Sequence, residues 1–188
     1  MECAGIVLTG GTSRRLGFDK TTVQIGGETL ARRAARVLGS VCAPVIEVGS
    51  GRSGLPVVRE DPPGSGPLAA LVAGATALGG DSVLLLACDL VAVEAPLLRL
   101  LAGWPGAPTV VPRVAGRDQL VCARYGADAI AAAPGLLAAG ERSLRALVAA
   151  VAADVLTERH WDGIATVDAF ADLDTPADLE RLGLRAPE

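Results

Sequence analysis

Residues 8–20 read LTGGTSRRLGFDK; the stretch starts in the last two residues of the first predicted strand, residues 4–9, and continues beyond it. Gly10 and Gly11 allow positive φ angles and a close approach of the backbone to a ligand. The free N–H groups of such a loop form a nest for an anion, and the side chains that add positive charge are Arg15 and Lys20. The stretch therefore predicts a phosphate-binding loop, with a solvated surface loop as the alternative. It differs from a Walker A loop, in which lysine directly follows the second glycine.

Lysine occurs only once in the whole chain. Sixteen of the 17 basic residues are arginine, and the exception is Lys20, the last residue of the glycine loop. Arginine presents a planar fork of donors, whereas lysine is a compact point charge. A lysine at this position in an arginine-rich chain indicates that the ligand requires a compact ammonium there.

Length and charge narrow the classes of function. The chain has 188 residues, a net charge of −4 and a pI of about 5.1, which predict one domain and no nucleic-acid partner. No run of 18 apolar residues occurs and the first residues lack a basic segment, so we expect neither a membrane span nor a signal peptide. The four cysteines contain no C-x-x-C pair, which predicts buried thiols in a reducing cytoplasm.

Short apolar runs alternate with longer helical patterns along the chain. Further strands are predicted at residues 44–48, 56–59, 82–87, 109–112, 120–125 and 155–157. Helices are predicted at residues 28–38 with Arg32, Arg33 and Arg36 on the wet side, 67–78, 95–101, 127–139 with an interruption at Pro134-Gly135, 143–150 and 176–182. This alternation indicates a three-layer α/β fold with a mainly parallel central sheet covered on both faces. Ligands bind such sheets at the carboxyl ends of the strands.

Two acidic residues follow predicted strands at that edge. Asp89 comes directly after the buried strand at residues 82–87 and Cys88, and Asp61 follows the short strand at residues 56–59. A carboxylate in this position, together with waters and substrate phosphates, is a usual way to hold Mg²⁺. Each acid alone is equally well explained as a turn former. Combined with the basic glycine loop, they predict a nucleotide–Mg²⁺ site.

A second glycine-rich stretch resembles a dinucleotide-binding motif but lacks its context. Residues 49–54 read GSGRSG and match G-x-G-x-x-G after a predicted strand. The dinucleotide motif requires a helix to begin inside it, and here Leu55-Pro56 follows instead. The stretch is therefore predicted to be a surface loop, and a dinucleotide oxidoreductase is not expected.

The loop at residues 8–20 resembles the L-A-G-G-x-S-x-R-M-G-x-D-K signature of the molybdenum cofactor guanylyltransferases, the MobA-like nucleotidyltransferases. Further matches follow in the family's order: Asp61 with GPLA at residues 66–69, ACDL at 87–90, QLVCARY at 119–125 and FADLDTPADL at 170–179. The resemblance implies a Rossmann-like nucleotidyltransferase fold in a single domain, residues 1–188. Its nucleotide half would span residues 1–105 and its acceptor half residues 106–188.

The same resemblance implies an activity and roles for the matched residues. The enzyme would use Mg²⁺ to transfer GMP from GTP to the phosphate of molybdopterin, releasing pyrophosphate. Catalytic roles would fall to Arg15, Lys20 and Asp89, with Asp89 also the metal ligand. Contacts to GTP would come from Leu8, Thr9, Gly10, Gly11, Lys20, Asp61 and Asp89. Thr9 departs from the family's alanine and places a hydroxyl beside the nucleotide, and Gly49-Ser50 stands near the position of a family asparagine.

The acceptor side is less well marked. Arg142 and Arg145 are spaced i and i+3 on a predicted helix face, where they could bind the acceptor phosphate or simply face solvent. Asp172 and Asp174 could line a pterin pocket, although helix capping also explains Asp174 and Thr175.

Other functions on the same fold remain open from the sequence. The alternatives are CTP as the nucleotide, another phosphorylated acceptor, and a non-catalytic nucleotide-binding protein. Suggested protein partners are limited to a transient contact with proteins of cofactor synthesis or molybdoenzyme maturation.

Overall fold

The computed structural model describes residues 3–10 and 17–184. Its strands are β1 (Ala4–Leu8), β2 (Gln24–Ile25), β3 (Glu28–Thr29), β4 (Val45–Val48), β5 (Val57–Val58), β6 (Ser82–Ala87), β7 (Thr109–Val114), β8 (Arg117–Asp118), β9 (Cys122–Gly126) and β10 (Ala153–Leu156). Its α-helices are α1 (Leu30–Gly39), α2 (Pro67–Leu78), α3 (Ala95–Gly103), α4 (Ala127–Ala138), α5 (Leu144–Ala150), α6 (Glu158–Trp161) and α7 (Pro176–Arg181). Two 3₁₀ helices span Lys20–Thr22 and Val167–Phe170.

One sheet runs through both predicted halves of the chain. The strand order is β10-β7-β9-β6-β1-β4-β5, and β8 pairs with the end of β7. The pairs β6–β1, β1–β4, β4–β5 and β7–β10 are parallel. Strand β9 is antiparallel to both neighbours, since it returns through the short β7–β8 hairpin, a connection too short for a parallel crossover. The prediction of a mainly parallel sheet is confirmed for the centre of the fold.

Apolar side chains cover both faces of the sheet. In the register of β1 with β6, Ile6 lies beside Leu85 on one face and Val7 beside Leu86 on the other. Helices α1 and α3 pack on the Val7 face, and α2, α4 and α5 pack on the Ile6 face. Burying each leucine or isoleucine contributes roughly 1.5–3 kcal/mol, so the two cores hold the three layers together.

Helix α4 corrects one predicted break. The predicted interruption at Pro134-Gly135 is wrong, because α4 continues through both residues to Ala138. A proline inside a helix removes one hydrogen bond, and the carbonyl that it leaves unpaired belongs to the residue four positions earlier. Pro134 is exposed, so its helix face is open to water, which can satisfy that carbonyl.

The start of α1 also differs from the prediction. Residues 24–29 form a hairpin of β2 and β3 around Gly26-Gly27, whose φ angles are 59° and 84°. A two-residue turn of this kind favours a glycine pair, so the G-G dipeptide was the available signal. The helix therefore begins at Leu30 instead of Glu28, with Thr29 as its N-cap.

Arg33 is not on the wet side of α1 as predicted. Its guanidinium donates to the carbonyl oxygens of Val91 (2.9 Å) and Val93 (3.3 Å). Arg32 and Arg36 are exposed, as expected. Arg33 therefore ties α1 to the segment that follows Asp89.

Two findings bear on the predicted cellular setting. All four cysteines are buried free thiols, which confirms the prediction of buried thiols. Among residues 3–10 and 17–184, no helix is both long and apolar enough to cross a bilayer.

Candidate functional site

A cleft of about 1240 Å³ opens at the carboxyl ends of the central strands. Its walls include the residues that follow β1, β4 and β6, as expected for ligand binding in a parallel sheet. Residues from both predicted halves contribute, among them Leu8, Thr9, Gly10, Lys20, Gly49, Ser50, Asp89, Gln119, Phe170 and Asp172. The cleft exceeds the roughly 300–1000 Å³ of a typical small-molecule site, so it has room for more than one ligand.

Lys20 lines this cleft and its backbone is held by a cap. It begins a 3₁₀ helix whose N-cap, Asp19, accepts hydrogen bonds from Thr21 N (3.0 Å) and Thr21 Oγ1 (2.7 Å). The Lys20 ammonium forms an ion pair with Asp89 and a second one with Asp174, at 3.1 Å. Burial acts to lower the pKa of Lys20, but these two carboxylates outweigh it and raise the pKa above its usual value. Lys20 is therefore a fixed positive charge.

Among the described residues, three carboxylates lie near the Lys20 ammonium. Asp89, Asp172 and Asp174 lie near one another, and burial together with the charges of Asp174 and Asp89 raises the pKa of Asp172. Among the side chains that the structure describes here, one ammonium faces three carboxylates, so this part of the cleft suits a divalent cation. Within the described ranges, no group of three or more His, Cys, Asp or Glu side chains is arranged to hold a metal ion. A cation here would therefore rest on few protein ligands, with phosphate oxygens and waters completing its shell.

Asp174 does not serve as a helix cap. The capping box of α7 consists of Thr175 and Asp178, whose carboxylate accepts from Thr175 N at 2.8 Å. The capping explanation is therefore right for Thr175 and wrong for the side chain of Asp174, which pairs with Lys20.

Glu60 occupies the place in the cleft that was expected for Asp61. Arg59 and Glu60 line the cleft, and Glu60 accepts from Gly64 N at 3.0 Å. Asp61 is exposed and is not among the lining residues. Strand β5 ends at Val58, one residue before its predicted end. The structure thus places Glu60, and not Asp61, in the wall of the cleft.

The two arginines predicted for the acceptor do not line the cleft. Helix α5 begins at Leu144 because Ser143 caps it by accepting from Arg145 N at 3.1 Å. Arg142 therefore precedes the helix, and the prediction that both arginines share one helix face is wrong. The Arg142 guanidinium donates to the carbonyl of Leu137 (3.0 Å), while the Arg145 side chain is 70% exposed.

Two predicted loop residues, Gly11 and Arg15, lie outside the described ranges. Their roles at the phosphates remain predictions from the family signature.

The sequence did not single out Glu47, which is fully buried at the end of β4. Its carboxylate accepts hydrogen bonds from the loop at residues 49–54, the stretch that matched G-x-G-x-x-G. No helix starts in that loop, as predicted, and the loop surrounds a carboxylate of the chain itself, so it lacks the helix that the dinucleotide motif requires. A charged residue inside an apolar strand, followed by glycines and serines, was the available signal.

Thr9 turns its hydroxyl toward Glu47. Thr9 Oγ1 donates to the Glu47 carboxylate and accepts from Ser50 N at 2.8 Å. The hydroxyl that was expected beside the nucleotide is therefore engaged in the protein, although Thr9 itself lines the cleft.

A three-layer α/β fold that places Gly10 after β1, Lys20 and the carboxylate after β6 in one cleft is typical of proteins that bind nucleotides. The match to the family described as the MobA-like NTP transferase domain covers residues 5–156, and the chain belongs to this family. The resemblance seen in residues 8–20 is thereby confirmed.

Relatives of known annotation share most of the chain. A protein of Chloroflexus aggregans, named a probable molybdenum cofactor guanylyltransferase, is 31% identical over 96% of this chain and 93% of its own length. One of Opitutus terrae with the same name is 39% identical over 79% of this chain and 78% of its own length.

Solved structures share the fold. The molybdopterin-guanine dinucleotide biosynthesis protein A of Archaeoglobus fulgidus superposes with a TM-score of 0.78 at 21% identity, over 95% of each chain. The 2-C-methyl-D-erythritol 4-phosphate cytidylyltransferase of Thermus thermophilus superposes with a TM-score of 0.69 at 16% identity, over 96% of each chain. The predicted Rossmann-like nucleotidyltransferase fold is confirmed.

Proposed function

We propose that this protein is a molybdenum cofactor guanylyltransferase, which transfers GMP from GTP to the terminal phosphate of molybdopterin and releases pyrophosphate. The observation that carries the proposal is the Lys20–Asp89 pair in a cleft bordered by the signature backbone at Leu8 to Gly10. The names of the relatives that align over most of the chain support the same substrates.

The reaction joins two polyanions. A phosphate oxygen of molybdopterin attacks the α-phosphorus of GTP, the new P–O bond forms, and the bond to the β-phosphate breaks. The attacking phosphate is already largely ionised at neutral pH, since its second pKa is about 6, so no general base is required. Catalysis therefore depends on in-line positioning and on offsetting the repulsion between the phosphates.

Positive charge in the cleft would offset the repulsion between the phosphates. Lys20, whose pKa is raised by its carboxylate neighbours, offers a compact positive charge to the phosphates. Asp89 would hold Mg²⁺, and the acidic surroundings described above fit a divalent cation. Mg²⁺ bound there would supply charge that stabilises the leaving pyrophosphate. Arg15, outside the described ranges, is expected to add a second cation at the phosphates.

The acceptor is expected to bind in the same cleft, beside the carboxylates around Asp89. Gln119, Phe170 and Asp172 line the cleft, and an aromatic ring and a carboxylate suit the face and the amino group of a pterin. Arg142 and Arg145 stay candidates for the acceptor phosphate only if they turn toward the cleft.

A coupled pyrophosphate assay tests the proposal. Release of pyrophosphate is expected only when GTP, Mg²⁺ and molybdopterin are all present. Omission of any one of the three is the control. Absence of release with the complete mixture would contradict the proposed reaction.

CTP is the second candidate nucleotide, because the fold is shared with a cytidylyltransferase. A thermal shift series with GTP, CTP and ATP, each with Mg²⁺, separates these nucleotides. Saturation at 100 Kd adds about 2.7 kcal/mol of stability, which raises the Tm of a chain of this size by about 5–10 °C. We expect this shift with GTP; stabilisation by CTP alone would overturn the choice of guanine.

The setting is proposed from composition and chemistry. The substrates are small molecules, and a net charge of −4 offers no support for a nucleic-acid partner. Four buried free thiols suit a reducing cytoplasm. Transfer of the product to an acceptor enzyme would need a transient protein contact.

A further inference from the structure

Glu47 is a buried carboxylate that no step of the proposed reaction uses. It lies in β4 and none of its surface is exposed. Five donors reach its two oxygens: Thr9 Oγ1, Gly51 N, Arg52 N at 3.1 Å, Ser53 N at 2.8 Å and Ser53 Oγ. We call this arrangement, Glu47 with Thr9 and residues 50–53, the Glu47 clamp.

The clamp needs an ionised acid. A buried carboxylate is unfavourable unless hydrogen bonds replace its hydration, and an ionised carboxylate accepts hydrogen bonds only. Burial acts to raise the pKa of Glu47, but the hydrogen bonds from Ser53 and Thr9 outweigh it and the pKa is lowered. One donor belongs to Thr9, directly after β1, and the other four belong to residues 51–53 in the loop that follows β4.

Thr9 connects the clamp to the nucleotide side of the cleft. Its hydroxyl bridges Glu47 and Ser50 N, so strand β1 and the loop after β4 share one polar contact. Gly49 has a φ of 139°, and a Cβ there would lie 2.7 Å from the carbonyl carbon of Thr9. The loop therefore packs directly on the backbone that follows β1. Leu8, Gly10, Gly49 and Ser50 all line the cleft.

We propose that Glu47 is a positioning residue for the nucleotide, which holds the Gly49–Ser50 wall against the Leu8–Gly10 backbone before GTP binds. This inference rests on the proposed function, since it names the nucleotide that the wall receives. A loop of glycines and serines has a large conformational entropy, and ordering it only on binding would weaken affinity. Glu47 orders the loop in advance and touches no substrate.

The test is Glu47→Gln, which preserves shape and removes the charge. The glutamine amide nitrogen is a donor, so it would face N–H or O–H donors that the carboxylate now satisfies. We expect the KM for GTP to rise about tenfold, with kcat changed less than about twofold, because the loop would contribute equally to binding in the ground state and in the transition state. The readout is pyrophosphate release at saturating molybdopterin.

Asp154 offers a matched control at the far end of the sheet. Its carboxylate also anchors a loop, accepting from Trp104 Nε1 at 2.7 Å and Ala107 N at 2.8 Å, and it does not line the cleft. Asp154→Asn should lower the Tm without changing the KM for GTP. A merely structural role of Glu47 would give the same pattern as this control.

Thr9→Val is the second variant, in case Glu47→Gln does not fold. It removes the hydroxyl at nearly constant volume and should raise the KM for GTP in the same direction, while Thr9→Ser should restore it. Hydrogen exchange at the amides of residues 50–53 reports on the clamp without activity and should be faster in both Glu47→Gln and Thr9→Val.

The outcomes separate this inference from the proposed function. Suppose that the wild-type enzyme turns over GTP. An unchanged KM for GTP in Glu47→Gln would then overturn the positioning role. If Glu47→Gln does not fold, an unchanged KM in Thr9→Val would overturn it. Unchanged exchange at residues 50–53 would overturn it as well. A wild-type protein that releases no pyrophosphate from GTP contradicts the proposed function instead, and a raised Kd for GTP in the variants by thermal shift would then still support the clamp.

Discussion

Asp89→Ala is expected to lower the kcat of pyrophosphate release by at least about 10³-fold, which abolishes it in practice. The reason is that the variant lacks the carboxylate proposed to hold the metal. The variant should nevertheless fold. Lys20 keeps its second partner, Asp174, at 3.1 Å, so no buried charge is left without a counter-charge. The measurement is the coupled assay at saturating GTP and molybdopterin, repeated over a range of Mg²⁺ concentrations.

Asp81→Ala is the matched control for this prediction. Asp81 is exposed and directly precedes β6. Asp89 follows the other end of the same strand. Its replacement should change activity less than about twofold, as is usual for a surface substitution. Full activity in Asp89→Ala would refute the assignment of Asp89 as the metal ligand. A wild-type protein that binds GTP but does not turn it over would favour a non-catalytic nucleotide-binding protein.

Local patterns predicted most of the fold because local physics decides most of it. Helix α2 and strand β6 match their predicted bounds, since Pro67 fixes the start of the helix and an uninterrupted apolar run defines the strand. The antiparallel direction of β9 was not predictable from its residues alone. Buried parallel and antiparallel strands have the same composition, and only the pairing partners distinguish them.

The site residues were predictable where a residue with suitable chemistry also follows a predicted strand. Lys20 and Asp89 follow strands and meet in the cleft. The partners of Glu47 were not predictable, because a strand residue gives no indication of which loop amides will surround it. The predicted helix position of Arg142 was wrong for a related reason. Whether a residue lies inside a helix or just before it depends on which residue caps the helix, and here the cap is Ser143.

The contrast between Glu47 and Asp89 shows how the chain uses its acids. Glu47 is satisfied by five donors of the protein itself, and this arrangement leaves no role for a ligand. Asp89 lies among other carboxylates, with Lys20 as its ion-pair partner. An acid among other carboxylates favours an external cation, whereas an acid enclosed by donors orders the backbone that supplies them.

Lys20→Arg is expected to be nearly as damaging as Lys20→Ala, and each should reduce pyrophosphate release by at least about 100-fold, the cost of losing one transition-state donor. The side chain of Lys20 is only 15% exposed, between Asp89 and Asp174. A guanidinium is larger and planar, and its fork matches a carboxylate bidentately. It would therefore hold Asp89 in a two-point pair and compete with the metal, although the formal charge is unchanged.

Arg36→Lys is the matched control, because it makes the reverse exchange of arginine for lysine at a surface position outside the cleft. Arg36 pairs with Glu28 on the surface of α1, and its side chain is 59% exposed. Exposed pairs contribute roughly 0–1 kcal/mol, so this variant should keep wild-type activity and stability. If Lys20→Arg retains more than about a tenth of the activity, positive charge alone suffices at this position. The single lysine would then carry no special requirement, and the compact ammonium would have to be dropped from the mechanism.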